Sequence, residues 1–183
     1  MAKEFLTKYA ENADLNQYWY SERTIEALVA ELVDLGVERI AFVSTPSLYF
    51  ALPDGAAKEH SKFFDIDKDM VAHPNGVQYD FNSPEAFPDE LRGFFQCVVV
   101  DPPFITRDAY EKYARTVKLL LPEDGSGKIV LSTIAENAGM LEELLGVRMQ
   151  AFQPSIPNLV YQYNMFCNYD SERLGTKNPE IPD

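Results

Sequence analysis

Four short, nearly uninterrupted apolar runs set the limits on how this chain can fold. They are Arg39-Ile-Ala-Phe-Val-Ser44, Lys62-Phe-Phe-Asp-Ile-Asp67, Phe94-Phe-Gln-Cys-Val-Val-Val100 and Lys128-Ile-Val-Leu-Ser-Thr133. A strand with one wet face alternates apolar and polar residues, whereas a run that is apolar throughout is covered on both faces, as in a parallel sheet. Segments of helical spacing lie between the runs. Ile25, Leu28, Val29, Leu32 and Val33 follow a capping Ser21 and stop at Gly36. A brief helix around Ser47 to Leu52 ends at Pro53. Tyr110, Tyr113, Ala114, Val117 and Leu120 share one face of a helix from about Asp108 to Leu121, and Glu136 to Leu145 reads as another. Gly76 to Phe81 is expected to add a short strand. Two alternating, aromatic-rich segments, Arg148 to Gln153 and Tyr161 to Tyr169, close the chain as a strand pair.

This order predicts an α/β sheet, mostly parallel, with a late hairpin-like addition. All 183 residues are expected to form a single domain, with the polar tail from about Ser171 to Asp183 loosely ordered. Right-handed crossovers place the carboxyl ends of the parallel strands along one edge, where open α/β sheets bind ligands.

Charge and composition exclude several kinds of function. The net charge of −13 repels phosphate backbones and suits a basic macromolecule as partner, so a nucleic-acid substrate is not expected. The two cysteines, Cys97 and Cys167, lie in strand-like runs with no CxxC spacing, and His60 and His73 have no ligand-type neighbours at metal spacing. No disulfide framework or metal site is expected. No apolar run approaches the roughly 20 residues that span a bilayer, and the N-terminus has no signal-peptide core. The expected location is the cytoplasm.

The sharpest chemical signal is Val98-Val-Val-Asp101-Pro102-Pro103-Phe104, an apolar strand ending in an acid, two prolines and an aromatic ring. Asp101 can accept a hydrogen bond from a target N–H, and the Pro102 carbonyl can accept a second. Two acceptors aim an amine's lone pair at a methyl donor, while Phe104 covers one side and excludes water. The competing reading is a proline turn with a solvated acid. Leu15-Asn-Gln-Tyr18-Trp19-Tyr20-Ser21 places three aromatic rings before a helix N-terminus, a place that suits an anion such as a methionine carboxylate. Packing of the sheet edge is the alternative. Asp65 and Asp67 end the second run, where an acid commonly grips ribose hydroxyls. Asp80 and Phe81 are candidate contacts for an adenine edge. The loop Ser44-Thr45-Pro46-Ser47 lacks the usual glycines, so a donor there needs more help from side chains. Gly125-Ser-Gly-Lys128 departs from a phosphate loop at Ile129 and reads as a turn.

Taken in order, Gln17-Tyr-Trp-Tyr-Ser21, Val43-Ser-Thr-Pro-Ser47, Asp65-Ile-Asp-Lys68, Asp80-Phe-Asn82, Asp101-Pro-Pro-Phe104 and Asn168-Tyr-Asp170 closely resemble the elongation factor 1-alpha lysine methyltransferase 1 family. The resemblance runs from about Leu15 to Asp170. That family was formerly labelled N6-adenine-specific DNA methyltransferase because of its Asp-Pro-Pro-aromatic motif. It implies a class I, Rossmann-like methyltransferase fold with seven strands and a terminal antiparallel strand. It also implies S-adenosyl-L-methionine as methyl donor and a lysine of the translation factor eEF1A as target. Within the family a Ser/Thr-Pro-Ser loop is normal, and relatives often carry a longer leader.

On this reading Asp101 orients the amine and water takes the proton, because an ordinary carboxylate is too weak a base for a lysine of pKa about 10.4. Two other readings compete. Asp-Pro-Pro-Phe equally fits methylation of the exocyclic amine of adenine, which calls for a basic groove. A catalytically inactive, donor-binding interaction module is the third.

Overall fold

The structure, a computed structural model, describes residues 1–182. The apolar runs form strands β1 (Ile40–Val43), β2 (Lys62–Asp65), β3 (Gly76–Gln78), β4 (Cys97–Val100) and β5 (Lys128–Thr133), followed by β6 (Arg148–Met149) and β7 (Asn164–Cys167). They make one seven-stranded sheet in the order β3-β2-β1-β4-β5-β7-β6. The first five pair in parallel, and β7 runs antiparallel between β5 and β6.

Every residue of β1 and β4 is buried, because both faces of the sheet are covered. Alternate side chains feed two separate cores. Phe42, Phe63, Val99 and Val130 pack with helix α2 (Glu22–Asp34) on one face. Val43, Phe64, Val98, Val100 and Leu131 pack with α5 (Arg107–Leu120) and α6 (Ala138–Leu145) on the other. This is the three-layer arrangement that fully apolar strands dictate. Ser21 caps α2 through a hydrogen bond from the Thr24 backbone N–H, and Ile25, Leu28, Val29 and Leu32 are buried as their spacing requires. Val33, counted on the same stripe, is exposed instead. Both cysteines are buried and free. Among the described residues no helix is long and apolar enough to cross a membrane.

Helices α1 (Ala2–Lys8), α3 (Pro46–Ala51) and α4 (Ala56–His60) complete the set. The first and last are too short to show a helical period, so nothing in the sequence pattern announced them. Phe5 of α1 is buried edge-on against Trp19 and stacked on Phe50 of α3, which ties the N-terminus to the sheet. The closing strands are shorter than their aromatic pattern suggested. Gln150 still donates to the Met165 carbonyl, and Met165 to that of Phe152, but Pro154 and Pro157 leave the rest of the connection irregular.

The tail also differs from expectation. Leu174 is fully buried and its carbonyl accepts from the Phe152 N–H, while Asn178 is buried and donates to the Gln153 carbonyl. Burying one leucine stabilises by roughly 1.5–3 kcal/mol, enough to hold a short polar segment in place. Polar composition concealed these anchoring residues.

Candidate active site

In sequence the strands run outward from β1 to β3 on one side, then jump to β4 on the other. This reversal opens a crevice between the carboxyl ends of β1 and β4, the usual place for a ligand in such sheets. A cleft of about 280 Å³ lies there. Its lining includes Tyr18, Trp19, Ser44, Asp65, Asp80, Phe81, Asp101, Pro102 and Phe104, so nine of the residues singled out from the sequence meet in one place.

Asp101 follows β4 directly, and its backbone N–H donates to the Val43 carbonyl. One carboxylate oxygen accepts from the Ser132 hydroxyl at 2.8 Å. Ser132 has a single proton to give, so the Tyr20 hydroxyl, 2.6 Å from its Oγ, must be the donor in that pair. The chain Tyr20 to Ser132 to Asp101 fixes the carboxylate at the cleft wall. Burial pushes the Asp101 carboxyl up to about 7, against the Ser132 and Tyr20 hydroxyls, which favour the ionised form. The sequence reading treated this acid as an ordinary weak base. The fold makes it a much better proton acceptor.

The loop after β1 shows why glycine is dispensable there. Ser44 adopts φ of 58°, the left-handed conformation that glycine usually supplies. Its amide donates to the Phe64 carbonyl, and its hydroxyl pairs with that of Tyr113 at 2.8 Å, two contacts that hold the conformation. Thr45 and Ser47, expected to touch a donor, are buried and absent from the cleft wall. Pro46 opens α3 and turns both inward, and the Thr45 hydroxyl bonds the Val99 carbonyl.

The two acids that end the second run also separate. Asp65 lines the cleft, and burial pushes its carboxyl up to about 6 while the Asp67 backbone N–H opposes that by hydrogen bonding to it. Asp67 instead accepts from the Asp69 and Met70 backbone N–H groups and lies off the cleft wall. Phe81 stacks on Tyr113 with ring centres 5.4 Å apart and meets the half-exposed Phe104 at 5.8 Å. These three rings form one aromatic wall.

The aromatic segment before α2 divides between two tasks. Tyr18 and Trp19 reach the cleft, and Asn16 donates its side-chain N–H to the Pro103 carbonyl, fastening the segment to the Asp-Pro-Pro-Phe loop. Ser21 faces away from the cleft. Its hydroxyl donates to the Glu180 carboxylate at 2.7 Å, as does that of Thr24 at 3.1 Å. The helix N-terminus does attract an anion, as its dipole requires. That anion is the chain's own tail.

Sequence reasoning missed Ser132, Tyr113 and Tyr163. Ser132 carried a signal in retrospect, a lone pair of hydroxyls closing the otherwise apolar β5 at the ligand edge. Tyr163 carried none, because only the fold of the irregular connection before β7 brings it to the cleft. The lining holds four aspartates, Asp14, Asp65, Asp80 and Asp101, and no lysine, arginine or histidine among the described residues. Nor is any group of three or more His, Cys, Asp or Glu placed to hold a metal ion among them.

Comparison with known proteins agrees with this architecture. A family model described as probable N6-adenine methyltransferase matches residues 11–171. EEF1A lysine methyltransferase 1 of Homo sapiens is 35% identical over 167 residues, covering 88% of this chain and 76% of that protein. Its Danio rerio counterpart is 34% identical over 175 residues, covering 87% of this chain and 99% of the fish protein. A protein-lysine N-methyltransferase of Dictyostelium discoideum is 30% identical, covering 92% and 82%. Among solved structures, the branched-chain polyamine synthase of Thermus thermophilus, crystallised with N4-aminopropylspermidine and 5'-methylthioadenosine, superposes with a TM-score of 0.64. It is 14% identical and covers 91% of this chain and 62% of that one, a likeness of fold. With the class I methyltransferase sheet order and these relatives along most of its length, the chain belongs to the family that contains the EEF1A lysine methyltransferase 1 proteins.

Proposed function

We propose that this chain is an S-adenosyl-L-methionine-dependent protein-lysine N-methyltransferase whose acceptor is eEF1A, working in the cytoplasm. The observation that carries the reading is that every ionisable acid or base of the ordinary charged kinds in the cleft lining is an aspartate, with no lysine, arginine or histidine among the described residues. Both the lysine ammonium and a sulfonium are cations, and four carboxylates with no cation among them draw in both. An adenine in nucleic acid brings phosphates, which the same lining repels.

The residues present fit the donor. Asp65 stands at a strand end where ribose hydroxyls are held, and Phe81 with Tyr113 offers a ring face for adenine. Tyr18 and Asp80 line the same space. Bound there, S-adenosyl-L-methionine supplies an electrophilic methyl: the amine lone pair forms the N–C bond as the C–S bond breaks and its electrons stay on sulfur.

The chain's own residues prepare the nucleophile. An ammonium has no lone pair, so the nitrogen must first lose a proton. Asp101, with its carboxyl near about 7, receives that proton within the cleft far more readily than an exposed aspartate would. The Pro102 carbonyl then accepts from an N–H bond that remains and helps to aim the lone pair. Phe104, Phe81 and Tyr18 keep water from the reacting atoms, and aromatic faces also suit the cationic product. Titration calorimetry with S-adenosyl-L-methionine and with its demethylated product tests the first step. Binding of both is expected, and binding of neither removes the enzyme reading.

A further inference from the structure

Tyr163 is the buried tyrosine of the cleft that the mechanism leaves unused. It is 5% exposed and lines the cavity beside Asp101. Four other buried tyrosines surround the same edge of the sheet, and every one of their hydroxyls is paired. Tyr20 meets Ser132 at 2.6 Å, Tyr79 meets Thr116 at 2.7 Å, Tyr113 meets Ser44 at 2.8 Å and Tyr110 donates to the Ser132 carbonyl at 3.4 Å. The Tyr163 hydroxyl has no hydrogen-bond partner among the described residues. No fully enclosed side-chain oxygen or nitrogen lacks a partner among them, so this hydroxyl keeps accessible surface, and the cavity that Tyr163 lines is the cleft. A nearly buried hydroxyl held apart from all protein partners is the signature of a group that completes its bonding with a ligand.

Which ligand atom it meets follows from the shape of the target amine. An incoming ammonium carries three N–H bonds. The Asp101 carboxylate and the Pro102 carbonyl are the acceptors that the end of β4 offers it. Both lie at the end of one strand, and three N–H bonds diverge from a tetrahedral nitrogen, so an acceptor on another part of the lining suits the N–H that points away from them. We propose that Tyr163 is a catalytic residue of this site, its hydroxyl oxygen accepting a hydrogen bond from the target amine nitrogen opposite Asp101. The assignment rests on the reading that the acceptor is an amine. Burial, together with the Asp101 charge, raises the phenol above the usual tyrosine range, so it remains neutral and serves as an acceptor at physiological pH.

The Tyr163→Phe variant isolates the hydroxyl, and because that group bonds nothing in the protein the variant should keep the wild-type melting temperature. Two measurements on the intact chain decide the matter. Loaded with S-adenosylhomocysteine, wild type should bind n-butylamine, a mimic of the lysine stem, and Tyr163→Phe should bind it at least fivefold more weakly. With eEF1A as acceptor, kcat/KM of the variant should fall about tenfold while S-adenosyl-L-methionine affinity stays within twofold. Butylamine bound equally by both proteins, or by neither, overturns the proposal. So does a loss of donor affinity as large as the loss of rate, which would place the hydroxyl on the donor. Should wild type bind butylamine through Tyr163 yet leave eEF1A unmethylated, the choice of eEF1A falls and the role of Tyr163 stands.

Discussion

Asp65 and Asp101 stand at equivalent stations, each at or just after the end of a parallel strand, and both carboxyls are lifted by burial, to about 6 and about 7. They differ in what holds them. Asp65 is fixed by its own turn, through the backbone N–H of Asp67 two residues on. Asp101 is fixed by side chains far along the chain, Ser132 on β5 and Tyr20 ahead of α2. A backbone-held acid is rigid and its behaviour is set locally, which suits holding a donor that is the same in every turnover. An acid held by a hydroxyl relay can be tuned by distant residues, which suits the chemistry at the acceptor. Under the proposed function, the comparison divides the cleft into a donor half at β1–β3 and an acceptor half at β4, β5 and β7.

Substitution of the acceptor-side acid should produce the largest effect. Asp101→Ala is expected to lower methyl transfer at least a hundredfold while donor affinity stays within a few-fold. Loss of donor binding in that variant would erase the division into halves. On the donor side, Asp65→Asn should weaken S-adenosyl-L-methionine binding by about ten- to a hundredfold, the range for a lost charged hydrogen bond, and Asp67→Asn by less than about twofold. Wild-type donor affinity should also fall as pH drops through about 6, where Asp65 takes up a proton, and calorimetry on Asp65→Asn should show that dependence flattened.

Smaller changes are expected in the relay. Ser132→Ala removes a hydrogen bond that favours the Asp101 carboxylate, so its carboxyl must rise further. Transfer should fall by about tenfold, and the acid limb of the kcat/KM profile should move to higher pH. An unmoved limb would mean that Ser132 only fills space. The smallest effect belongs to the tail: Glu180→Gln should cost about 1 kcal/mol of stability through the weakened α2 N-terminus and leave donor affinity unchanged. Thermal melts alongside donor titrations check both. A donor-binding defect without a stability defect would return Ser21 to the cleft.

The same contrast explains how much of the molecule the sequence made legible. Strands buried on both faces announce themselves by unbroken apolar runs, so β1, β2, β4 and β5 and the ligand edge could be read directly. Asp65, Asp101, Pro102 and Phe104 hang from the ends of those strands, and the chain delivers them without further instruction. Ser132, Tyr163 and Glu180 act through contacts spanning 31 residues or more, or through an irregular loop, and no periodicity encodes them. Ser21 shows the converse error. Its capping role was legible, but the anion it faces could be identified only once the tail was seen folded back upon it.

The account stands most directly on what the acidic cleft methylates. Purified eEF1A and an adenine-containing oligonucleotide, offered together with methyl-labelled S-adenosyl-L-methionine, put the two acceptors in competition at a single site. Label is expected on a lysine of eEF1A, weakening between 0.1 M and 1 M salt as the Debye length shrinks from about 10 Å to about 3 Å. Label on the oligonucleotide, with eEF1A left unmodified, would contradict it.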